Sequence, residues 1–326
     1  MSDSFRILAF DIGGTHGRCA LARCTQDSAT PFEFGEVSSF KRTPGADGPA
    51  WLAVLLDGAK KLCAKKVRYA AVSFGGPVAP DGRIQSTHVP GWERVDLSGE
   101  LARAFDLGRG DIVVENDANA GALGEFHWGA GRGCRDMLFF TVSTGIGGGV
   151  ILDGKLRRGA HGLAGEFGHM IMDGREGAPQ YAAGKPGALE ALASGPAMER
   201  EGRAALEKVR AGGPPAPQVI SAKNVFDAAV SGEPWAVEAR ARCVGELGRG
   251  IAAAMSAYDV ERVVIGGGVS LAGDALFVPL RAAVQEYLPT FMSGKVEVVP
   301  AELGDRAQLY GAVTACLTKV KVARQR

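Results

Sequence analysis

The sequence lacks the patterns that mark several common classes of protein. No apolar run is long enough to cross a membrane, and the first residues are polar and show no signal peptide. The formal net charge is only +1, so no field attracts nucleic acid or an acidic membrane. No cysteine pair has the C-x-x-C spacing of a zinc ribbon or a redox motif. The six cysteines are scattered, at Cys19, Cys24, Cys63, Cys134, Cys243 and Cys316. We therefore expect reduced thiols in a cytoplasmic protein without membrane or nucleic-acid partners.

Two nucleotide-binding motifs are also missing. The sequence has neither the G-x-x-x-x-G-K-[ST] pattern of a Walker P-loop nor the G-x-G-x-x-G pattern of a dinucleotide fold. What it has in quantity is glycine, with 47 residues, many of them clustered. Its 326 residues suit two lobes better than one core.

The first glycine cluster follows a short apolar run that ends at Asp11. Gly13, Gly14 and Thr15 come next, and a second apolar run then follows, which predicts a hairpin with a glycine-rich tip. Glycine lets the backbone approach a ligand closely, and its N–H groups can face an anion. Because Asp11 would repel a phosphate, the pattern predicts a hydrated Mg²⁺ beside it. The alternative is a plain hairpin turn.

A second hairpin of the same kind is predicted at residues 138–152, with its tip in 143–149. The two tips align at an offset of 132 residues, which pairs Gly13 with Gly145. We interpret this as an internal duplication in which each lobe begins with a hairpin. Two such tips facing across a cleft would hold a polyphosphate from both sides.

Polar residues end another apolar run. Ile112–Val114 predicts the end of a buried strand, and Glu115, Asn116 and Asp117 follow, before small residues with good helix propensity. A carboxylate at this junction lies at the carboxyl edge of a sheet, where α/β proteins bind ligands, and it can accept a proton from a hydroxyl. The alternative is that Asn116 or Asp117 is only a helix N-cap.

Two more strand ends are rich in glycine. A predicted strand at Tyr69–Phe74 leads into Gly75 and Gly76, and a strand at Arg262–Ile265 leads into a run of three glycines. Glycine at a strand end allows a ligand to lie against the backbone, although a tight turn would use it equally. The three glycines of the second run are Gly266, Gly267 and Gly268.

Helical spacing predicts helices at 50–66, 234–258 and 308–320. Residues 211–219 are predicted to form a Pro/Gly loop. Glu166 and His169 are three residues apart and would share a face if they were helical, although such a pair is usually an ordinary hydrogen bond.

These motifs together resemble the ROK family of sugar kinases and regulators, which has the actin-like ATPase fold. The resemblance covers nearly the whole chain and is closest to the bacterial glucokinases of that family. It rests on Asp11-Ile12-Gly13-Gly14-Thr15, Glu115-Asn116-Asp117-Ala118-Asn119-Ala120, Thr144-Gly145-Ile146-Gly147-Gly148-Gly149, Gly165-Glu166-Phe167-Gly168-His169 and Leu189-Glu190.

The resemblance implies an ATP-dependent transfer of a phosphoryl group to the 6-hydroxyl of glucose, with Asp117 as the general base. Asp11 would hold Mg²⁺ through water. The residues implied to bind the sugar are Gly76, Asn116, Asp117, Glu166, His169 and Glu190. The residues implied to bind ATP are Gly13, Gly14, Thr15, Thr144, Gly145, Gly266, Gly267 and Gly268.

The fold implied is α/β: a two-lobed actin-like ATPase, or ribonuclease H-like, fold with duplicated mixed-sheet lobes and a central cleft. We expect a small lobe of residues 1–117 plus 305–326 and a large lobe of residues 118–304. The family also implies a homodimer.

One departure from the family pattern concerns zinc. Most members carry C-x-C-G-x-x-G-C and bind a structural zinc ion together with a histidine. The three cysteine positions are here Tyr181, Ala183 and Ala188, none of which can replace a thiolate. We therefore predict no zinc, and another partner must orient His169.

Other functions fit the same motifs. The acceptor could be N-acetylmannosamine, N-acetylglucosamine or fructose, and the donor could be polyphosphate. A sugar-sensing regulator is a different class, but no helix-turn-helix segment precedes the first predicted strand and the charge is near neutral. Asp11, Thr15 and Asp117 disfavour a catalytically inactive sugar-binding protein.

Overall fold

The computed structural model describes residues 4–25, 32–63, 66–86, 88–182, 184–209 and 220–324. The predicted loop at 211–219 lies outside them. The strands in these residues are β1 (Phe5–Ile12), β2 (His16–Cys24), β3 (Phe32–Lys41), β4 (Tyr69–Phe74), β5 (Ile112–Asn116), β6 (Met137–Val142), β7 (Ile146–Leu152), β8 (Lys155–Leu156), β9 (Arg262–Gly266) and β10 (Glu297–Pro300). The α-helices are α1 (Gly48–Leu62), α2 (Leu97–Phe105), α3 (Asp117–Trp128), α4 (Leu189–Ala193), α5 (Gly195–Val209), α6 (Ala222–Val230), α7 (Pro234–Tyr258), α8 (Asp274–Tyr287) and α9 (Ala307–Arg324).

The chain divides into two compact units. The first unit comprises Met1–Trp128, Arg158–Ala164 and Asp305–Arg326, and the second comprises Gly129–Arg157 and Gly165–Gly304. Helix α3 therefore belongs with the first unit, whereas the sequence analysis assigned its residues from 118 onward to the large lobe. The lobe boundaries themselves stay a prediction.

Close packing between α3 and α9 explains the placement of α3. A Cβ on Gly124 would collide with the carbonyl oxygen of Ala307, and a Cβ on Gly311 would collide with that of Ala120. Glycine at both positions lets the two helix backbones touch, which fixes α3 firmly within the first unit.

Each unit contains one five-stranded mixed sheet, and the two sheets have the same topology. The first has the strand order β3-β2-β1-β4-β5 and the second has the order β10-β9-β6-β7-β8. In each, three consecutive strands pair antiparallel, and two later strands add in parallel beside the first of them. The predicted duplication is confirmed at the level of topology.

The predicted alignment of the two hairpin tips is wrong in register. The last paired residues are Ile12 and Gly17 in the first hairpin, but Val142 and Ile146 in the second. Gly13 is therefore the first residue of its tip, whereas Gly145 is the last residue of a shorter tip. A sequence offset that aligns glycines ignores this difference in turn length, because only strand pairing defines equivalent positions.

The core of the first unit lies on both faces of its sheet. Alternate residues of β1 point to opposite faces: Leu8 and Phe10 pack in one cluster with Trp51 of α1, and Ile7 packs in the other with Leu309 of α9. Parallel strands covered on both faces read as continuous apolar runs, which is why β1 and β4 were visible in the sequence.

The core of the second unit joins β6 to α7. Leu138 and Phe140 of β6 lie with Val244, Leu247 and Ile251 of α7 in one buried cluster. These three residues of α7 recur at helical spacing and form a packing surface. The predicted bounds of α7 and β4 are confirmed. No helix in the described residues is long and apolar enough to span a membrane.

Candidate functional site

The first candidate group lies where β5 ends and α3 begins. Asp117 is the first residue of α3, and its Oδ1 accepts a hydrogen bond from the N–H of Ala118 at 2.9 Å. The adjacent Asn116 is the helix cap, because its Oδ1 accepts from the N–H groups of Ala118 and Asn119 at 3.0 and 3.1 Å. The capping function left open by the sequence thus falls to Asn116. Asp117 is held at the helix N-terminus, where the dipole favours negative charge.

Asn116 also uses its amide nitrogen within the protein. Its Nδ2 donates to the carbonyl oxygen of Gly76 at 3.0 Å and to Asp117 Oδ1 at 3.2 Å. An asparagine amide has two donors and two acceptor positions, so these bonds and the two cap bonds fill its capacity. The predicted contact of Asn116 with a sugar stays a prediction, and the structure gives the residue a second use in orienting Asp117.

The buried carboxylate of Glu115 stabilises the junction between β5 and α3. Glu115 is only 4% exposed, and its Oε1 accepts from the side chain of Asn119 at 3.1 Å. Its Oε2 accepts from Arg158 Nε at 2.7 Å, and the same guanidinium approaches through Nη2 at 2.6 Å. Two nitrogens of the Arg158 guanidinium thus lie on one oxygen of the buried carboxylate and compensate its charge. The sequence analysis named Glu115 but missed Arg158, because Arg158 lies 43 positions along the chain.

Asp117 lies next to the first hairpin tip. A Cβ built on Gly75 would be 3.7 Å from Asp117 Oδ2 and 3.4 Å from the Cα of Gly13. The N–H of Gly75 donates to the carbonyl oxygen of Ile12 at 2.8 Å, which ties the end of β4 to the end of β1. Three strand ends therefore bring the candidate base and the candidate phosphate-binding glycines together.

The neighbouring Gly76 is needed for a close approach of the backbone. A Cβ at this position would collide with the carbonyl oxygen of Gln85. Its own carbonyl oxygen binds the Asn116 side chain, so Gly76 links the loop after β4 to the cap of α3.

The first tip is held by side chains that donate to its carbonyl oxygens. Trp51 Nε1 donates to Gly13 O at 3.0 Å, and Arg42 Nε donates to Gly14 O at 2.6 Å. The N–H of Gly13 closes the turn on His16 O at 3.0 Å. Thr15 is exposed at the apex, which is the place expected for a hydroxyl that contacts a ligand.

Asp11 is buried in the first sheet and bound on both of its oxygens. Arg18 Nη1 donates to Oδ2 at 3.1 Å, and the hydroxyl of Ser73 donates to Oδ1 at 3.1 Å. Arg18 also pairs with the carboxylate of Asp305 at 3.2 Å. Burial raises the pKa of Asp11, and the charge of Arg18 and the bond from Ser73 offset part of that rise.

The second candidate group is built around Glu190, in the first turn of α4. Its Oε2 accepts a hydrogen bond from the N–H of Ile146 at 2.8 Å. A Cβ on Gly145 would collide with the same oxygen, so a larger residue at this tip position would require the Glu190 carboxylate to move. The structure therefore brings a residue predicted to bind sugar against a tip predicted to bind ATP.

Glu166 and His169 lie in one short turn on β7. Phe167–His169 forms a 3₁₀ turn with Glu166 at its start, and Phe167 stacks on Phe140 with ring centroids 4.4 Å apart. A Cβ on Gly168 would collide with Ile146 O, so glycine allows the turn to lie directly on the strand. The expectation that the pair shares a face is met by this turn rather than by an α-helix.

The charges of this turn interact. His169 Nε2 lies 3.7 Å from Glu166 Oε2, and the histidine side chain is half exposed. Burial raises the pKa of Glu166, the nearby His169 lowers it, and the negative charge of Glu190 raises it further. The three side chains therefore form one electrostatic group.

Hydrogen bonds close the loop that follows the Phe167–His169 turn. The side chain of Gln180 donates to Gly184 O at 2.9 Å, and the N–H of Gly187 donates to Pro179 O at 2.7 Å. The described residues contain no group of three or more histidine, cysteine, aspartate or glutamate residues suited to a metal ion. Of the three positions where the family has cysteine, Tyr181 and Ala188 are described and Ala183 lies outside the described residues. The residues present do not fit a zinc ion, and the absence of zinc stays a prediction.

A cavity of about 890 Å³ opens beside the second tip. Two of the most exposed apolar side chains of the described residues line it: Val230 is 68% exposed and Leu271 is 84% exposed. Its polar and charged lining residues are Ser143, Thr144, Glu199, Ser221, Lys223 and Asp227. Helix α6 supplies several of these residues, and its sequence gave no sign of a binding role.

The three glycines at the end of β9, of which Gly266 is the last residue of the strand, have different surroundings. Gly268 lines the cavity, whereas a Cβ on Gly267 would collide with the backbone of Val142, and one on Gly266 would lie 3.1 Å from the ring of Phe139. Gly267 has a φ of +86°, which favours glycine whatever binds nearby. Only Gly268 is therefore placed to meet a ligand in the cavity.

Comparison with known proteins assigns the chain to a family. Residues 7–319 match the ROK family. The chain belongs to the ROK family. This ROK protein is 38% identical to a glucokinase of Thermotoga maritima over 74% of its length and 78% of the relative. It is 36% identical to a glucokinase of Halalkalibacterium halodurans over 95% of its length and 94% of the relative.

A solved structure extends the comparison to the fold. The ROK family glucokinase from Streptomyces griseus, in complex with glucose and AMPPNP, superposes on this ROK protein with a TM-score of 0.75 and 27% identity. The match covers 98% of this chain and all of the other. The predicted fold class, α/β with two mixed sheets of the actin-like ATPase type, is confirmed, and the relatives support a sugar kinase function.

Proposed function

We propose that this protein transfers the terminal phosphoryl group of ATP to the 6-hydroxyl of glucose. The observation that carries the proposal is the closeness of Asp117 to the first tip, where Asp117 Oδ2 and Gly13 Cα both lie within 4 Å of a Cβ built on Gly75. Phosphoryl transfer needs a base, positioned phosphates and charge neutralisation, and little covalent chemistry from the protein.

Asp117 acts as the general base. Its carboxylate takes the proton of the sugar 6-hydroxyl as that oxygen forms a bond to the terminal phosphorus, while the bond from that phosphorus to the bridging oxygen breaks and ADP leaves. Asn116 fixes the carboxylate through the 3.2 Å bond to Oδ1, so that Oδ2 faces the tip side of the junction. Such positioned bases contribute about 10²- to 10⁴-fold to rate.

Glu166, His169 and Glu190 bind the remaining sugar hydroxyls. Each hydroxyl both donates and accepts, so carboxylates paired with an imidazole suit a polyol. We propose that Gly76 contributes to sugar binding by holding the loop after β4 in place, because its carbonyl oxygen already accepts a hydrogen bond from Asn116.

The cavity beside the second tip favours a nucleotide over polyphosphate as the donor. Polyphosphate has no apolar surface for exposed side chains such as Val230 and Leu271 to contact, whereas these side chains can pack on the faces of a nucleotide base. Gly268, Ser143 and Thr144 line the same cavity, which supports a proposed adenosine site next to the second tip.

Asp11 is the residue suited to a hydrated Mg²⁺. Its two oxygens hold one bond each from Arg18 and Ser73, and a carboxylate has about four acceptor positions, so it can still accept from metal-bound water. The ion would neutralise charge on the phosphates when bound. Without the ion, the guanidinium of Arg18 supplies a positive charge beside Asp11.

The test is ADP release from Mg·ATP with glucose, mannose, fructose, N-acetylglucosamine and N-acetylmannosamine, and a parallel assay with polyphosphate as donor. We expect the highest kcat/KM with glucose and ATP. A preference for an N-acetyl sugar would keep the reaction and replace the substrate. Turnover with none of the sugars would contradict the proposal.

A further inference from the structure

The carboxylate of Glu190 is part of the second hairpin. Glu190 Oε2 accepts from Ile146 N at 2.8 Å, and Gly145 lies so close to this oxygen that any side chain there would collide with it. An ionised acceptor makes a stronger bond to a backbone N–H than a neutral one. The conformation of the tip therefore depends on a side chain 44 positions along the chain.

The same segment holds the other end of the tip. The N–H of Gly195 donates to Ser143 O at 2.8 Å, and Ser143 N donates in turn to Gly145 O at 2.9 Å. A Cβ on Gly195 would lie 2.9 Å from Ser143 O, so this approach also needs glycine. Helix α4 and the start of α5 thus contact the second tip at both of its ends.

Helix α4 is also tied to the turn that carries Glu166 and His169. The N–H of Leu189 donates to Met170 O at 2.9 Å, directly after that turn. Burial raises the pKa of both Glu166 and Tyr181, and the charge of Glu190 raises both further, so its carboxylate lies within electrostatic reach of both side chains. One side chain therefore faces the tip backbone and the proposed sugar-binding group together.

We propose that Glu190 is a positioning residue for the second tip, and that it couples sugar binding to nucleotide binding. The proposal rests on the proposed function, in which Glu190 also binds a sugar hydroxyl. A sugar hydroxyl that donates to the carboxylate fixes its orientation, and the bond to Ile146 N transmits that orientation to the tip. Because coupling between two ligands is reciprocal, a change in the tip must alter sugar affinity as well.

The first experiment measures MgADP affinity by calorimetry without any sugar, on the full chain. We expect Glu190→Ala to weaken MgADP about tenfold, the loss of one charge-assisted hydrogen bond. Glu166→Ala is the matched control, since it removes a proposed sugar ligand that makes no bond to the tip backbone. We expect its MgADP affinity to stay within about twofold of wild type.

The second experiment measures glucose affinity without nucleotide. Gly145→Ala displaces the Glu190 carboxylate from the tip, and we expect it to weaken glucose binding about tenfold. Gly245→Ala in α7, where an added Cβ meets no atom within 4 Å, is the comparison variant, and we expect its glucose affinity to stay within about twofold of wild type. No loss in Gly145→Ala, or equal losses in the two variants, would overturn the coupling.

Unchanged MgADP affinity in Glu190→Ala, or equal losses in Glu190→Ala and Glu166→Ala, would overturn the proposal. If Glu190→Ala does not fold by circular dichroism, Glu190→Gln decides, because its amide oxygen keeps a weaker acceptor. We expect about threefold weaker MgADP binding in that variant, and an unchanged affinity would contradict the proposal. Wild-type protein that binds MgADP but phosphorylates no sugar would instead end the proposed function and leave the MgADP comparison valid.

Discussion

The two hairpin tips have similar sequences but opposite kinds of support. In the first tip, donors from Trp51 and Arg42 occupy the carbonyl oxygens of Gly13 and Gly14. In the second tip, an acceptor occupies an N–H group, because Glu190 binds Ile146 N. The first tip therefore has a guanidinium beside it, and the second has a carboxylate.

This difference has a consequence for the phosphates of a nucleotide. A triphosphate would be attracted to the first tip by the charge of Arg42. The carboxylate of Glu190 would add no such attraction at the second tip, where it acts on the backbone through its bond to Ile146 N. Duplicated hairpins can thus diverge in function while their strand topology stays the same. We expect the first tip to bind phosphates and the second to couple the nucleotide to the sugar.

The largest effect that sharpens this comparison is expected in the first tip. A Cβ on Gly13 would lie 2.7 Å from His16 O, whereas a Cβ on Gly14 meets only ordinary contacts at 3.6 Å. We expect Gly13→Ala to lower kcat/KM for ATP about 100-fold, because small displacements of positioning groups are costly. Gly35→Ala in β3, where an added Cβ meets only Leu21 O at 3.7 Å, is the matched control, expected to stay within about threefold.

Equal effects of the two alanine substitutions would show that the space around Gly13 does not set the geometry of the tip. Both variants should keep the thermal stability of the wild type closely enough to be assayed at the same temperature.

A smaller effect is expected at Arg42. Removal of its guanidinium in Arg42→Ala takes away the donor to Gly14 O and the positive charge near the phosphates. We expect KM for ATP to rise about tenfold and glucose affinity without nucleotide to change little. Lys41→Ala, which removes the exposed charge next to it, controls for long-range attraction. If both variants raise the KM for ATP equally, and high salt abolishes their difference from the wild type, the effect belongs to the overall field and not to the tip.

The smallest effect concerns pH. Ionised Glu166 accepts from sugar hydroxyls, so kcat/KM for the sugar should fall as pH drops through its raised pKa. The positive charge of His169 lowers that pKa and the negative charge of Glu190 raises it. We therefore expect His169→Gln to move the acidic limb of the profile to higher pH and Glu190→Gln to move it to lower pH. Shifts in the same direction in both variants would contradict the assignment of this limb to Glu166.

The sequence predicted much of the scaffold because local patterns define it. The apolar runs of β1 and β4 and the helical spacing of α7 gave strands and a helix at the observed places, and the junction at Asp117 was found from a strand end followed by small residues. The turn length of each hairpin was not visible, because it depends on strand pairing and not on where glycines stand.

The supports of the site were missed for a different reason. Arg158 binds Glu115 across 43 positions, and Glu190 binds Ile146 across 44. A single sequence carries no signal for pairs so far apart, so the motifs that named Glu115 and Glu190 could not show which residues they bind. The lining of the cavity by α6 is hidden in the same way, since Lys223 and Asp227 also form an ordinary helix pair.

The measurement that tests the central claim most directly is single-turnover phosphorylation of glucose by Asp117→Asn. The substitution keeps the side-chain shape and removes the proton acceptor, so we expect the rate of the chemical step to fall about 10³-fold while calorimetry still detects glucose and MgADP. Asp57→Asn, at an exposed carboxylate of α1, is the matched control and should react at the wild-type rate. A chemical step in Asp117→Asn within a few-fold of wild type would contradict the assignment of Asp117 as the base.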